Sequence, residues 1–423
     1  MPTWLIIVTS ATVSYLLSLV VRVLTSREKK VEYRIEHQFS VGDDQFLRSM
    51  TSLLPPTTLG GNKITTFTNG DEIFPAMLDA IRSAQHTITF ETFIYWQGKI
   101  GRQFADALIE RARAQVKVHI LLDWLGTKKM NLDSIQSMKD AGIEVHRYHP
   151  LRWYNIRRVN NRTHRKLLVV DGTVGFTGGV GIADEWLGNG EDPDHWRDSH
   201  FKMEGPVVAQ CQAAFMDNWL KTRSLVLSEE GYFPEIAPTG AHRAQVVMSS
   251  PSEGSESARL MYLLAIASAA RSVRIASAYF VPDNLSVRTL VDARRRGVKV
   301  VIIVPGEHND SDVTRRAGRS RWGPLLQAGA EIYEYRPTMY HCKVMIVDDC
   351  WTTIGSANFD NRSFRLNDEA NLNVYDADFA REQVGAFEHD QQRSRRITRE
   401  EWTNHPWTEK LKDRAAGLLR SQL

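Results

Sequence analysis

The chain has 423 residues, 42% hydrophobic and 24% charged, and its 53 Lys and Arg against 50 Asp and Glu leave a formal net charge of +3. That composition excludes a disordered or fibrous chain, and the length accommodates two domains or one duplicated domain. So small a positive balance gives no ground for a nucleic-acid partner, and Cys211, Cys342 and Cys350, odd in number and without zinc spacing, fit free thiols in a reducing compartment.

The amino terminus differs from the rest. Residues 4–21, WLIIVTSATVSYLLSLVV, carry no charge, and these 18 residues approach the roughly 20 that a bilayer-spanning helix needs. No Lys or Arg precedes the run and no A-x-A site follows it, which argues against a cleaved signal peptide. Arg22, Arg27, Lys29 and Lys30 lie on its carboxyl side, so the positive-inside tendency predicts a single-pass anchor (1–25) in the inner (plasma) membrane with the remainder cytoplasmic. A polar linker (26–60) is expected next.

Beyond it the sequence repeats in outline. AIRSAQHTITFETFIY from Ala80 is answered by AIASAARSVRIASAYF from Ala265, LIERARAQVKVHILLD from Leu108 by LVDARRRGVKVVIIVP from Leu290, and AGIEVHRYHP from Ala141 by AGAEIYEYRP from Ala328. Each half reads helix, strand, helix, strand, helix, strand, then a further strand and a hairpin return. The short β-branched runs at 117–122 and 299–304, bounded by helical segments, predict buried parallel strands. The expected fold class is α/β: two pseudo-symmetric α/β/α sandwich halves, 61–226 and 244–390, preceded by one N-terminal hydrophobic helix. The seam falls at 226–244, where Glu229, Glu230, Gly231, Pro234, Pro238 and Gly240 cluster. A basic tail (391–423) with Trp402, Trp407, Leu411, Leu418 and Leu419 reads as a helix, packed on the domain or lying on a membrane.

Each half also carries the spacing His-x-Lys-x4-Asp: His164, Lys166 and Asp171 in the first, His341, Lys343 and Asp348 in the second. One copy is weak evidence; two copies, each opening an apolar run (LLVV at 167–170, VMIV at 344–347) and leading into a turn, are strong. Alternate residues share a strand face, so His164 projects with Lys166 and His341 with Lys343. Asp171 has an odd offset from His164 and starts an Asp-Gly hairpin signal, so Asp171 and Asp348 read as framework residues. Two imidazoles and two ammonium groups suit attack on a phosphodiester. With an unperturbed pKa of about 6.5, one ring attacks phosphorus while the other donates a proton. The lysines balance the phosphoryl charge, so no metal or other cofactor is expected.

The second motif continues Gly355-Ser356-Ala357-Asn358, where Ser356 and Asn358 are candidate phosphate-binding residues; the first continues Gly178-Gly179-Val180-Gly181, with one side-chain donor fewer. Asp198 in WRDSHF and Glu369 in NDEANL are candidates to orient the histidines. The run Glu191, Asp192, Asp194, His195 lacks a calcium-loop pattern. Trp153, Tyr154, Arg157 and Arg158 suit either a headgroup interface or ordinary packing.

These residues resemble the phospholipase D superfamily, whose hallmark is the doubled motif followed by G-S-x-N, and within it the bacterial cardiolipin synthases. The supporting stretches are FETFIYW (90–96), NRTHRKLLVVDG (161–172), TGGVGIADEW (177–186), WRDSHFKMEGP (196–206), YFVPDN (279–284) and GSANFDNRSFRLNDEANL (355–372). The resemblance implies sandwich halves of the phospholipase D type and makes the six motif residues the catalytic set, His164 being the nucleophile and His341 the acid and base. It also implies phosphatidyl transfer from one phospholipid to phosphatidylglycerol through a phosphohistidine, with phospholipids and the membrane as partners. Gly181 departs from the pattern's asparagine. The alternative is hydrolysis of phospholipid or nucleic acid by the same chemistry, although a nuclease would need a strongly basic groove.

Overall fold

The computed structural model describes residues 2–25, 35–150, 160–251 and 256–423, without the side chains of residues 16, 17 and 19–25. The repeated β-branched runs form the centre of each half. Thr87–Thr92 pairs in parallel with Lys117–Asp123, which pairs in parallel with Glu144–Tyr148. On its other side Thr87–Thr92 meets Leu167–Val170 antiparallel, followed by Val174–Gly178, Ser199–Glu204 and Leu59–Thr68. The second half repeats this order: Glu331–Tyr335, Lys299–Pro305 and Ser272–Ser277 in parallel, then Lys343–Val347, Trp351–Gly355, Asn367–Tyr375 and His242–Ser249. The halves join where Leu59 lies opposite Ala244 and Asn62 opposite His242, across an irregular antiparallel ladder. A single sheet path therefore runs through the molecule with its strand order mirrored about that seam.

Thr87–Thr92 is buried at every position because helices cover both faces. In the first half, Asn69–Ser83, Lys99–Arg113 and Leu132–Asp140 pack in succession along one face, and Val208–Arg223 covers the other. Ile73, Phe74, Phe90, Phe104 and Leu108 build the outer core of this half. A central core belongs to both halves: Phe215 and Trp219 from Val208–Arg223 join Phe379 and Phe387 from Ala377–Gln392. Phe201 meets Phe379 across it, ring centroids 6.3 Å apart. Apolar surface buried between the halves thus fixes their relation.

The structure bears on three sequence expectations, and of the two readings of the tail it shows the packed one. The stretch expected as a linker contains a helix, Asp44–Leu53, whose Phe46 and Met50 are buried. The Phe46 ring stands edge-on to Trp351 at 6.0 Å, so this segment is part of the second half's core. The basic tail is likewise part of the fold. Ser394–Ile397 adds antiparallel to Glu331–Tyr335 and covers that sheet edge, while Trp402 packs onto Gly323 and donates its indole N–H to the Arg319 carbonyl (3.3 Å). Tail residues Trp407 and Leu418 remain 74% and 82% exposed. Third, the hydrophobic amino terminus forms the helix Thr3–Thr25, but among the described residues no helix is long and apolar enough to cross a membrane. Thr9 and Thr12 turn their hydroxyls onto the helix's own carbonyls, polar insertions that dilute the apolar run. Arg27, Lys29 and Lys30, and the candidate interface residues Trp153, Tyr154, Arg157 and Arg158, lie outside the described residues.

Candidate active site

The sheet register sets where the motif histidines stand. Glu91 pairs with Leu167, and Ser277 with Lys343, so the residues just before each antiparallel motif strand lie at the carboxyl ends of the parallel strands. Open α/β sheets bind ligands at that end. His164 follows a two-residue strand, Arg162–Thr163, paired in parallel with Asn367–Asp368 of the other half. Its backbone N–H donates to the Asp368 carbonyl (2.9 Å), and the His341 N–H donates to the Arg197 carbonyl (2.8 Å). Each histidine is therefore tied to the return strand, or its approach, of the opposite half.

The side chains cross in the same way. Nδ1 of His164 lies 3.0 Å from both carboxylate oxygens of Glu369, and Nδ1 of His341 lies 2.7 Å from Oδ2 of Asp198. With Nδ1 of His164 committed to a carboxylate, its Nε2 is left for chemistry, whereas Lys343 Nζ lies 3.0 and 3.2 Å from Nδ1 and Nε2 of His341. The carboxylates are held in turn by different donors. Ser356 gives its hydroxyl proton to Glu369, and the Ala370 N–H donates to the Ser356 oxygen (3.0 Å). Asp198 instead accepts from the Trp186 indole N–H (3.0 Å) and from its neighbour's backbone, Ser199 N–H (2.8 Å). Gly179, the counterpart of Ser356, is required here, since a Cβ would stand 2.1 Å from the Asp198 carboxylate. Ser356 thus holds a carboxylate, which corrects its expected place among phosphate-binding residues. Asn358 keeps a buried carboxamide oxygen without a hydrogen-bond partner among the described residues.

Lys166 and Lys343 are buried and donate to the carbonyls of His164 (2.9 Å) and His341 (2.6 Å). Burial pushes the His164 imidazole down to about 4 against the pull of Glu369, and burial together with Lys343 lowers His341. Burial, then the charge of Lys343, brings Lys166 down to about 7. Burial works to raise Glu369, but His164, Lys166 and the Ser356 hydroxyl outweigh it and hold the carboxyl at about 2. Against burial, His341 and Lys343 keep Asp198 below its ordinary value. Because Lys343 acts on both Lys166 and His164, the two motifs share one electrostatic field.

Asp171 and Asp348 face away from this chemistry. Asp171 accepts the backbone N–H groups of Gln85, His86 and Thr87, and Asp348 those of Ala270, Arg271 and Ser272, all within 2.8 Å. Their place in the catalytic set is corrected accordingly: both aspartates staple the parallel strands to the hairpins. Ring contacts that sequence reasoning missed complete the walls, Phe93 beside His164 (5.3 Å) and Trp186 and Trp196 beside His341 (5.2 and 5.4 Å). Phe93, Trp186 and Trp196 all lie in stretches that carry the resemblance, FETFIYW, ADEW and WRDSHF, which was the available signal.

A family model described as a cardiolipin synthase, phospholipase D-like domain matches residues 77–215 and 262–391, one segment in each half. The chain belongs to that family. Cardiolipin synthase 1 of Bacillus anthracis is 38% identical over 340 residues, which make up 78% of this chain and 66% of that protein. Cardiolipin synthase A of Pseudomonas fluorescens is 34% identical over 378 residues, 88% of this chain and 78% of that protein. The chain thus spans just under two thirds of the length of the first relative. Among solved structures, a phosphatidylserine synthase of Haemophilus influenzae Rd KW20 superposes with a TM-score of 0.70 over 90% of this chain and 99% of that one. At 16% identity this likeness concerns the fold alone.

Proposed function

We propose that the chain makes cardiolipin by transferring a phosphatidyl group from one phospholipid to the glycerol hydroxyl of phosphatidylglycerol. The observation that carries this reading is the crossed grip on the two motif histidines, each held through Nδ1 by a carboxylate from the other half. In the proposed reaction Nε2 of neutral His164 attacks phosphorus, and the leaving alkoxide takes a proton from His341. His341 then removes the proton of the acceptor hydroxyl, whose oxygen displaces His164. Lys166, Lys343 and the Asn358 amide balance the charge on the phosphoryl oxygens, while Asp198 and Glu369 keep the rings in the productive tautomer. Exchange of one phosphodiester for another is close to isoenergetic, and the chain carries no G-x4-G-K-[ST] nucleotide loop. Supplied with phosphatidylglycerol in detergent micelles, the protein should yield a diphosphatidyl lipid and free glycerol by mass spectrometry. Phosphatidic acid and glycerol alone would refute synthesis and leave hydrolysis.

The substrate lipids require access to a bilayer. The helix Thr3–Thr25 supports this, with Trp4, Ile6, Ile7, Val8 and Val13 exposed. A single crossing with the catalytic part cytoplasmic predicts retention in the membrane pellet after carbonate extraction. Release into the supernatant places the helix on the surface instead.

A further inference from the structure

The two halves repeat one another, so a place where matched positions differ in chemistry marks a task that only one half performs. Three such differences surround the site, and all have the same sense. Thr92 and Ser277 are equivalent, because each donates its hydroxyl to the carbonyl two residues on, Ile94 (3.0 Å) and Tyr279 (2.8 Å). The His164 side thus has Ile94 where the His341 side has Tyr279. Ile94 in turn packs against Gly181, where an added Cβ would approach to 2.8 Å, so no asparagine fits. The counterpart of Gly181 is Asn358, only 3% exposed and with its carboxamide oxygen unpartnered among the described residues.

The third difference is in the loops that follow the second parallel strand of each half. In the first half the loop carries Trp124, Lys128 and Lys129, with Lys128 4.5 Å over the Trp124 ring and Lys129 3.8 Å over Trp96. It is pinned beside His164, since Trp96 donates to the Gly126 carbonyl (2.9 Å) and Gly126 abuts Phe93, the ring neighbour of His164. The matching loop, 306–311, reads GEHNDS. Its exposed Asp310 accepts the Tyr279 hydroxyl, and its charge is felt at both His341 and Lys343. One mouth is cationic and aromatic. The other loop is anionic, and the aromatic walls of its histidine, Trp186 and Trp196, come from the first half.

We propose that the mouths are two distinct subsites: Tyr279, Asp310 and Asn358 receive the uncharged glycerol end of the acceptor, with the acceptor's own phosphodiester held outside them, while the Trp96, Trp124, Lys128 and Lys129 mouth takes the anionic phosphodiester of the phosphatidyl donor. This rests on the reading of the site as a phosphatidyltransferase. A carboxylate accepts hydrogen bonds from neighbouring hydroxyls and repels a phosphoryl group, so Asp310 selects the polyol and rejects a donor bound the wrong way round. At His341 the acceptor O–H gives its proton to Nε2 and its oxygen forms the new P–O bond. The P–N bond to His164 breaks, and its electron pair returns to that ring.

The test supplies the full chain with phosphatidylglycerol as donor and lets deuterated glycerol compete with 1-propanol as acceptor. Loss of a charge-assisted contact in Asp310→Ala should lower the ratio of glycerol to propanol product about tenfold and raise the KM for glycerol by a similar factor. Lys128→Ala with Lys129→Ala should instead raise the KM for the donor. An unchanged product ratio in folded Asp310→Ala overturns the proposal, as does a donor KM that rises as much as the glycerol KM. If the unaltered protein forms neither transfer product, the transferase reading falls and takes this inference with it. Products formed with a ratio indifferent to Asp310 sink the inference alone.

Discussion

An imidazole whose Nδ1 proton is committed to a carboxylate presents one nitrogen to substrate, the state in which Glu369 holds His164, while Asp198 holds His341, whose ring Lys343 also approaches. Glu369→Gln would present an amide to His164 and favour the wrong tautomer. Turnover should fall about 10³- to 10⁴-fold, as when a triad carboxylate becomes an amide, with an unchanged thermal midpoint. The perturbed groups also fix a pH profile. His164, down at about 4, is neutral above that value, and Lys166, down at about 7, is charged only below it. The kcat/KM of the free enzyme should therefore fall as pH drops through about 4 and fall as pH rises, first as His341, lowered below the ordinary imidazole value, loses the proton it donates, and again through about 7 with Lys166. Lys166→Arg should remove the fall near 7, because guanidinium stays charged, and leave the one set by His341; a profile of the unaltered protein that is flat from pH 6 to 9 contradicts this assignment. Asp348 has a different task. Its removal in Asp348→Ala strands three backbone donors and leaves alanine at a φ of 53°. The expected cost is about 2–4 kcal/mol in urea unfolding. Its odd offset and the turn after it made the framework reading legible from spacing alone.

Among the elements, those that repeat were the legible ones. The β-branched runs near 117 and 299 and the LLVV and VMIV runs stand in the sheet where their patterns placed them, because burial on both faces leaves little freedom of type or register. The non-repeating elements were hidden. Asp44–Leu53 offers only Phe46 and Met50 to the core from a short amphipathic stretch, which local pattern cannot tell from a polar linker. Phe46→Ala should nonetheless cost about 3–5 kcal/mol, the range for emptying a buried aromatic site, measured by denaturant unfolding. A shift under 1 kcal/mol would place that helix outside the cooperative unit. Ser394–Ile397 was equally hidden, since SRRI reads as basic tail until the open edge of Glu331–Tyr335 is there to receive it.

At the scale of the whole molecule, pseudo-twofold symmetry turns two weak motifs into one site. The sequence announced both motif residues and their carboxylate partners but not the exchange between halves: His164 takes Glu369 and His341 takes Asp198. Neither pairing follows from chain order, because it depends on how the shared core of Phe215, Trp219, Phe379 and Phe387 sets one half against the other. Similarity to the cardiolipin synthases places the chain in a family, while the chemistry depends on two rings serving one phosphorus atom in turn. Trapping that intermediate is the most direct measurement. His341→Ala incubated with a phosphatidyl ester of p-nitrophenol, whose leaving group needs no proton, quenched without acid and mapped by peptide mass spectrometry, should carry the phosphatidyl group on His164. In a parallel sample, His164→Ala should carry none. An adduct on His341 of His164→Ala, or no adduct on His164 of His341→Ala, would contradict the two-histidine mechanism with His164 as nucleophile.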